Sequence, residues 1–172
     1  MNPRLTTVLA IVLAAALMRL LPHPPNVTPV AAMALFAGAH FADKRLAFGV
    51  PLLAMLLSDL VLGLHSTLAF VYAGVALTTL IGMGLRGRAR PLPAIGAALL
   101  AAVLFYLLTN FGVWLTGTMY PHTVEGLMAA YAAGLPFLRN SLLGDVFWTA
   151  VLFGGFQALS QHWRVLRTPA AA

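Results

Sequence analysis

The sequence predicts an all-α integral membrane protein with six transmembrane helices, and three observations support this prediction. Hydrophobic residues make up 61% of the 172 residues and charged residues only 8%, whereas soluble domains contain about 25% charged residues. Six apolar segments follow one another along the chain. Eight of the ten Lys and Arg residues fall in alternate connections, which by the positive-inside rule places both termini in the cytoplasm.

The predicted spans are 5–21, 30–42, 46–63, 66–85, 92–115 and 141–161. The second span is too short to cross a bilayer as a helix, because about 13 residues cover roughly 20 Å of a hydrocarbon core near 30 Å. The segment before it, 22–29, holds four prolines and cannot be helical. Non-helical backbone at membrane depth must be buried in protein or face a water-filled cavity. We therefore expect 22–29 to enter the membrane beside a cavity.

The last external connection, 116–140, is the longest and predicts a short interfacial helix outside the membrane. Thr123 is a suitable N-cap, whereas Gly134 and Pro136 are expected to end the helix. Such a helix is too short to span and would cover the bundle. The chain has room for one transmembrane domain, 1–172, whose residues 162–172 form a cytoplasmic tail.

Polar residues lie mostly in the external halves of the spans. Ionisable groups inside a membrane are costly and therefore often mark functional sites. Together with a short, proline-preceded span, they predict a pocket open to the outside. The residues expected to line it are Asn26, Thr28, Asp59, Asn110, Trp114, Tyr120, His122 and Asp145.

Two structural alternatives apply to the acidic residues. Arg19 is at about the depth of Asp59, and Arg139 is close to Asp145. Because charges inside a membrane usually pair, two ion pairs that only hold helices together would also explain these four residues.

The other polar residues also allow simpler roles. Asn110 could bridge two helices, and Trp114 and Tyr120 could belong to the aromatic belt at the interface. The external histidines could bind a metal, although histidines in loops are usually only solvated; they are His23, His65 and His122.

The sequence gives no sign of catalysis or of nucleic-acid binding. The chain has no cysteine, which excludes thiolate metal sites and cysteine nucleophiles. The segment 142–145 lacks the first glycine of the intramembrane aspartyl protease pattern, and no nucleophile elbow, zinc-protease helix or phosphate loop is present. We expect no enzyme activity and no cofactor, and active transport would need a partner with ATPases. The basic residues set topology and contact lipid headgroups.

Four segments resemble one bacterial family of small six-span proteins, assigned to transport without a known substrate. They are 25–36, 51–60, 109–114 and 140–145. The resemblance covers nearly the whole chain and implies a location in the bacterial inner membrane.

The chain is more distantly similar to the S components of energy-coupling-factor vitamin transporters. Those six-helix proteins bind vitamins from outside and dock a transmembrane coupling subunit through Ala-x-x-x-Ala in helix 1, a motif that Ala10 and Ala14 match. The chain lacks the cysteine with which some cobalamin-binding members bind cobalt, and it has Asn2 where cobalt and nickel members have histidine. The resemblance implies a substrate-binding component for uptake of a small organic solute or vitamin. The alternative is a membrane scaffold or assembly subunit that transports nothing.

Overall fold

The computed structural model describes residues 2–167 and is all-helical over that range. The α-helices are α1 (Pro3–Met18), α2 (Val30–His40), α3 (Lys44–Leu62), α4 (Leu68–Met83), α5 (Pro91–Thr116) and α6 (Val124–His162), and a 3-10 turn follows at Arg164–Leu166. Three of the helices, α3, α5 and α6, are long and apolar enough to cross a membrane. The other three are shorter apolar helices.

The short helix α2 lies at the centre of the bundle and contacts all five other helices. Every residue from 32 to 39 is buried, as expected for a helix that is apolar on all sides. Phe36 packs at its C-terminal end against Phe153 and Phe156, with ring centroids 5.2 and 5.5 Å apart. The prediction of a short second helix preceded by proline is confirmed, with 11 residues starting directly after Pro29.

Helices α2 and α4 approach closely because each presents a glycine to the backbone of the other. A Cβ atom on Gly38 would collide with the Thr79 carbonyl, and one on Gly82 would collide with the Leu35 carbonyl. Small residues allow such close contact between membrane helices. Gly38 therefore serves packing within the bundle.

The prediction of a separate interfacial helix before the last span is wrong, because α6 runs without a break from Val124 to His162. A proline inside a helix removes one backbone hydrogen bond, yet α6 continues through Pro136. Contacts with α5 hold its first half: the Tyr131 hydroxyl donates to the Leu107 carbonyl at 3.0 Å, and the Tyr106 hydroxyl donates to the Tyr131 carbonyl at 2.5 Å. Gly134 also lies directly against the Asn110 side chain. These tertiary contacts override the local stop signals.

The described chain ends meet at one end of the bundle. Arg4 donates a hydrogen bond to the Leu166 carbonyl at 3.2 Å, and Leu166 is buried. The predicted tail is thus packed against α1 up to residue 167, and the rest of it lies outside the described residues.

Candidate functional site

A cavity of about 470 Å³ lies at the N-terminal end of α2, and we call it the polar cavity. Its walls come from Arg19 at the end of α1, from the segment before α2, from the connection after α3 and from helices α2 to α6. The polar side chains that line it are Arg19, His23, Asn26, Thr28, His65, Thr78, Thr109, Ser141 and Asp145. Apolar side chains complete the wall, with Met55, Val71, Val75 and Phe105 among them. Apolar side chains that provide contact area, combined with polar groups that can orient a ligand, are typical of a small-molecule site.

The proline-rich segment 22–29 forms part of this wall because two side-chain amides hold it against α6. Asn140 donates to the Pro25 carbonyl at 3.0 Å, and Asn26 donates to the Ser141 hydroxyl at 3.3 Å. Asn26 has φ 61°, a backbone conformation that asparagine tolerates better than most residues. Gly144 lets the segment approach, since a Cβ there would lie 3.0 Å from Val27 Cα.

Asp145 is the acidic side chain on the cavity wall, and it is only 5% exposed. It has no hydrogen-bond or ion-pair partner among residues 2–167. Arg139, which the sequence offered as its partner, is exposed and does not pair with it. A buried polar group without a partner is costly, so this carboxyl is free to bind water or another group that enters the cavity.

Asp59 has a different environment, since it is paired and does not line the cavity. Arg19 Nη2 lies 2.6 Å from Asp59 Oδ1, and the Tyr72 hydroxyl donates to Asp59 Oδ2 at 2.9 Å. Arg19 also donates to the Ser58 hydroxyl. Asp59 is 1% exposed, and the ion pair proposed for it from sequence is present. Of this pair, Arg19 reaches the cavity.

The remaining predicted pocket residues lie away from the cavity. Asn110 donates to the Tyr106 carbonyl within α5 at 2.9 Å, and Trp114 donates to the Pro121 carbonyl at 2.9 Å. The Trp114 and His122 rings are 5.5 Å apart, and Tyr120 lies in the same connection. The first half of α6 therefore packs on α5 and does not cover the cavity. The segment 22–29 lies over the cavity instead and forms part of its wall.

The structure thus brings together three of the eight predicted residues, Asn26, Thr28 and Asp145. Ligand binding by them stays a prediction. Sequence reasoning omitted six other polar lining side chains: Arg19, His23, His65, Thr78, Thr109 and Ser141. All except Thr78 lie in predicted external connections or external halves of spans, which was the available signal. Within residues 2–167, no group of three or more His, Asp or Glu side chains could hold a metal ion.

The predicted partner-docking residues, Ala10 and Ala14, lie on the outer face of α1, where both are exposed. The opposite face of α1 is buried in the bundle through Val8, Val12 and Ala15. Ala10 and Ala14 are therefore accessible to another chain, and contact with one stays a prediction.

The profile of a family of unknown function, DUF6580, matches residues 1–168. No curated protein and no solved structure matches the chain.

Proposed function

Because the chain belongs to DUF6580, whose function is unknown, we propose its function from the polar cavity: binding of a small organic solute in the membrane, for uptake into the cell. The observation that carries the proposal is the Asp145 carboxyl, which is buried, unpartnered within the described chain and part of the cavity wall. Transport sites place ionisable groups inside the membrane, beside broken or short helices, where a ligand can bind them.

The size and wall of the cavity support a small organic molecule. Its volume of about 470 Å³ lies within the range of about 300–1,000 Å³ found for small-molecule sites. Phe105, Val71 and Met55 offer apolar contact, and the Thr28 and Ser141 hydroxyls offer hydrogen bonds.

The charges around the cavity indicate an amphoteric solute. Asp145 favours a hydrogen-bond donor or an ammonium group, because Asp59 already balances the charge of Arg19. The N-terminus of α2, which lies at the cavity through Val30 and Ala31, has no side-chain cap. Its first backbone N–H groups and its dipole favour an anionic group on the same solute.

We propose six membrane crossings with both termini in the cytoplasm, so that the polar cavity faces outward. In this arrangement α2 crosses only part of the bilayer, since 11 residues rise about 16 Å. The segment 22–29 occupies the remaining depth, and its contacts with α6 and the cavity supply the protein environment that such backbone needs. The basic residues of the two connections after α2 and α4 then face the cytoplasm.

Uptake by this chain would follow the pattern of energy-coupling-factor S components, in which another subunit supplies the energy. The exposed small residues Ala10 and Ala14 on α1 are the proposed contact with a transmembrane coupling subunit that carries ATPases. Leucine at either position would hold the partner helix away.

The test of solute binding compares two Asp→Asn variants. Protein purified gently is denatured, and the small molecules that it releases are identified by mass spectrometry. The wild type and the control Asp43→Asn, whose side chain is exposed, should release the same solute. Asp145→Asn should release little of it, and the two proteins should melt at the same temperature once both are free of solute.

A second measurement covers a solute that is lost during purification. The protein is mixed with the small-molecule fraction of a cell extract, and its melting temperature should rise in the wild type but not in Asp145→Asn. An equal response of both proteins in the two experiments would contradict the assignment of the site. A response in neither would favour the scaffold alternative.

A further inference from the structure

A second cavity, of about 400 Å³, lies at the opposite end of α2, and we call it the arginine cavity. Its wall includes the C-terminal end of α2, the connection before α5 and the C-terminal end of α6. Four arginines line it: Arg4, Arg88, Arg90 and Arg167. None of the chain's four acidic side chains lines it: they are Asp43, Asp59, Glu125 and Asp145.

Two of these arginines are held in place by the backbone. Arg4 donates to the Leu166 carbonyl at 3.2 Å. Arg167 donates to the Ser160 and Gln161 carbonyls at 3.0 and 2.9 Å. The Arg167 side chain is therefore fixed at the cavity by neutral carbonyl acceptors, which do not balance its positive charge.

The other two arginines extend from the connection before α5. Arg88 and Arg90 are exposed, and their guanidinium groups have no acceptor among residues 2–167. Helix α5 begins immediately after Arg90 without a side-chain cap, so its dipole adds positive potential at this point. Like charges gathered around one cavity repel each other unless an anion joins them.

The C-terminal end of α2 does not cancel this potential. Arg86 Nε donates to the Gly38 carbonyl at 3.1 Å, and Arg86 Nη2 donates to the Phe41 carbonyl at 2.8 Å. A fifth arginine thus neutralises the negative end of the helix dipole before it reaches the cavity. The cavity keeps a net positive field, which suits a strongly anionic group.

We propose that the arginine cavity binds the phosphate group of an anionic phospholipid. Guanidinium groups match phosphate oxygens in geometry as well as in charge. Large apolar side chains close in sequence to lining residues favour a lipid over a soluble phosphate: Leu92 is 80% exposed, Trp163 56% and Val165 60%. These side chains would contact the acyl chains, and basic pockets between membrane helices bind lipid headgroups in this way.

The experiment uses the full chain in detergent, titrated with phosphatidylglycerol or phosphatidylcholine and observed by native mass spectrometry. One phosphatidylglycerol should bind at least tenfold more tightly than phosphatidylcholine. Each arginine near a phosphate contributes about fivefold in affinity, so the double variant Arg88→Gln/Arg90→Gln should bind phosphatidylglycerol about 30-fold more weakly. Both side chains are exposed, so its melting temperature should not change.

The matched control is Lys44→Gln/Arg45→Gln, which removes two exposed charges at the start of α3 without touching the cavity. It should bind phosphatidylglycerol like the wild type. Equal weakening by both double variants, or equal binding of the two lipids, would overturn the proposal. A third measurement adds inorganic phosphate to the complex with phosphatidylglycerol. Displacement of the lipid by micromolar phosphate would show that the cavity prefers free phosphate, which would overturn the proposal of a phospholipid ligand. None of these results depends on the solute in the polar cavity.

Discussion

Replacing Asp59 by asparagine would remove one charge of the Arg19–Asp59 pair and keep the size of the side chain. Asp59 is 1% exposed, and the Arg19 side chain is 16% exposed. Loss of one member of a buried ion pair costs about 3–5 kcal/mol, because the remaining charge is left without compensation. At about 2–4 °C per kcal/mol for a chain of this size, we expect the melting temperature to fall by about 6–20 °C.

The contacts around Arg19 place the expected loss at the lower end of that range. Arg19 keeps its hydrogen bond to the Ser58 hydroxyl and a long one, of 3.5 Å, to the Met55 carbonyl. The asparagine oxygen can still accept the hydrogen bond that Tyr72 donates. The Asp59→Asn variant therefore removes the negative charge and keeps these hydrogen bonds. We expect a loss of about 3 kcal/mol in the free energy of unfolding.

The assay is reversible unfolding in mixed micelles, arranged as a double-mutant cycle with Arg19→Gln. The double variant strands no charge, so its cost should be smaller than the sum of the two single costs by about 0.5–3 kcal/mol. Asp43→Asn is the control, since Asp43 caps α3 through the Arg45 N–H at 2.8 Å and asparagine caps a helix equally well. Additive costs, or a loss below about 1 kcal/mol for Asp59→Asn, would refute the reasoning.

Three further predictions follow from the helix packing and the charge pattern. Gly82→Ala should lower the melting temperature or prevent folding, because the added Cβ would collide with the backbone of α2. Gly96→Ala is the control and should not change the melting temperature, because the space around Gly96 is open. Thermal unfolding of both variants in detergent tests this prediction. Ala14→Leu should abolish solute uptake without changing the melting temperature, and a lower melting temperature would show that Ala14 packs within the bundle. Single cysteines introduced at Gly87 and Thr118 should react in intact cells with an impermeant thiol reagent only at Thr118, and the reverse pattern would overturn the proposed orientation.

Local signals predicted the helices well wherever neighbouring elements agreed with them. The proline-rich segment 22–29 is non-helical, and α2 starts at Val30 directly after it. Both features follow locally, because proline fixes φ and lacks the backbone N–H that a helix interior needs. The same logic failed at Gly134 and Pro136, where the helix continues. There the contacts of Tyr131 and Gly134 with α5 outweigh the local preference, and no local pattern reveals such contacts.

The candidate site was predictable in depth but not in composition. Asn26 and Asn110 both occupy predicted external ends, yet only Asn26 lines the polar cavity. The side chain of Asn110 bonds to its own helix at Tyr106. Position along a span follows from the sequence, whereas the direction in which a side chain points depends on how the helices are rotated against one another.

By itself, the sequence determined an all-helical, apolar chain with a short second helix, because composition, periodicity and proline act locally. It also offered an ion pair with Arg19 as the alternative to a pocket role for Asp59, and the structure contains that pair. Only the tertiary structure decided that Asp145 has no partner among residues 2–167 and that residues 115 positions apart, Pro25 and Asn140, join to build one wall. The physical reason is that a cavity forms from surfaces of several helices, and their packing depends on all side chains at once.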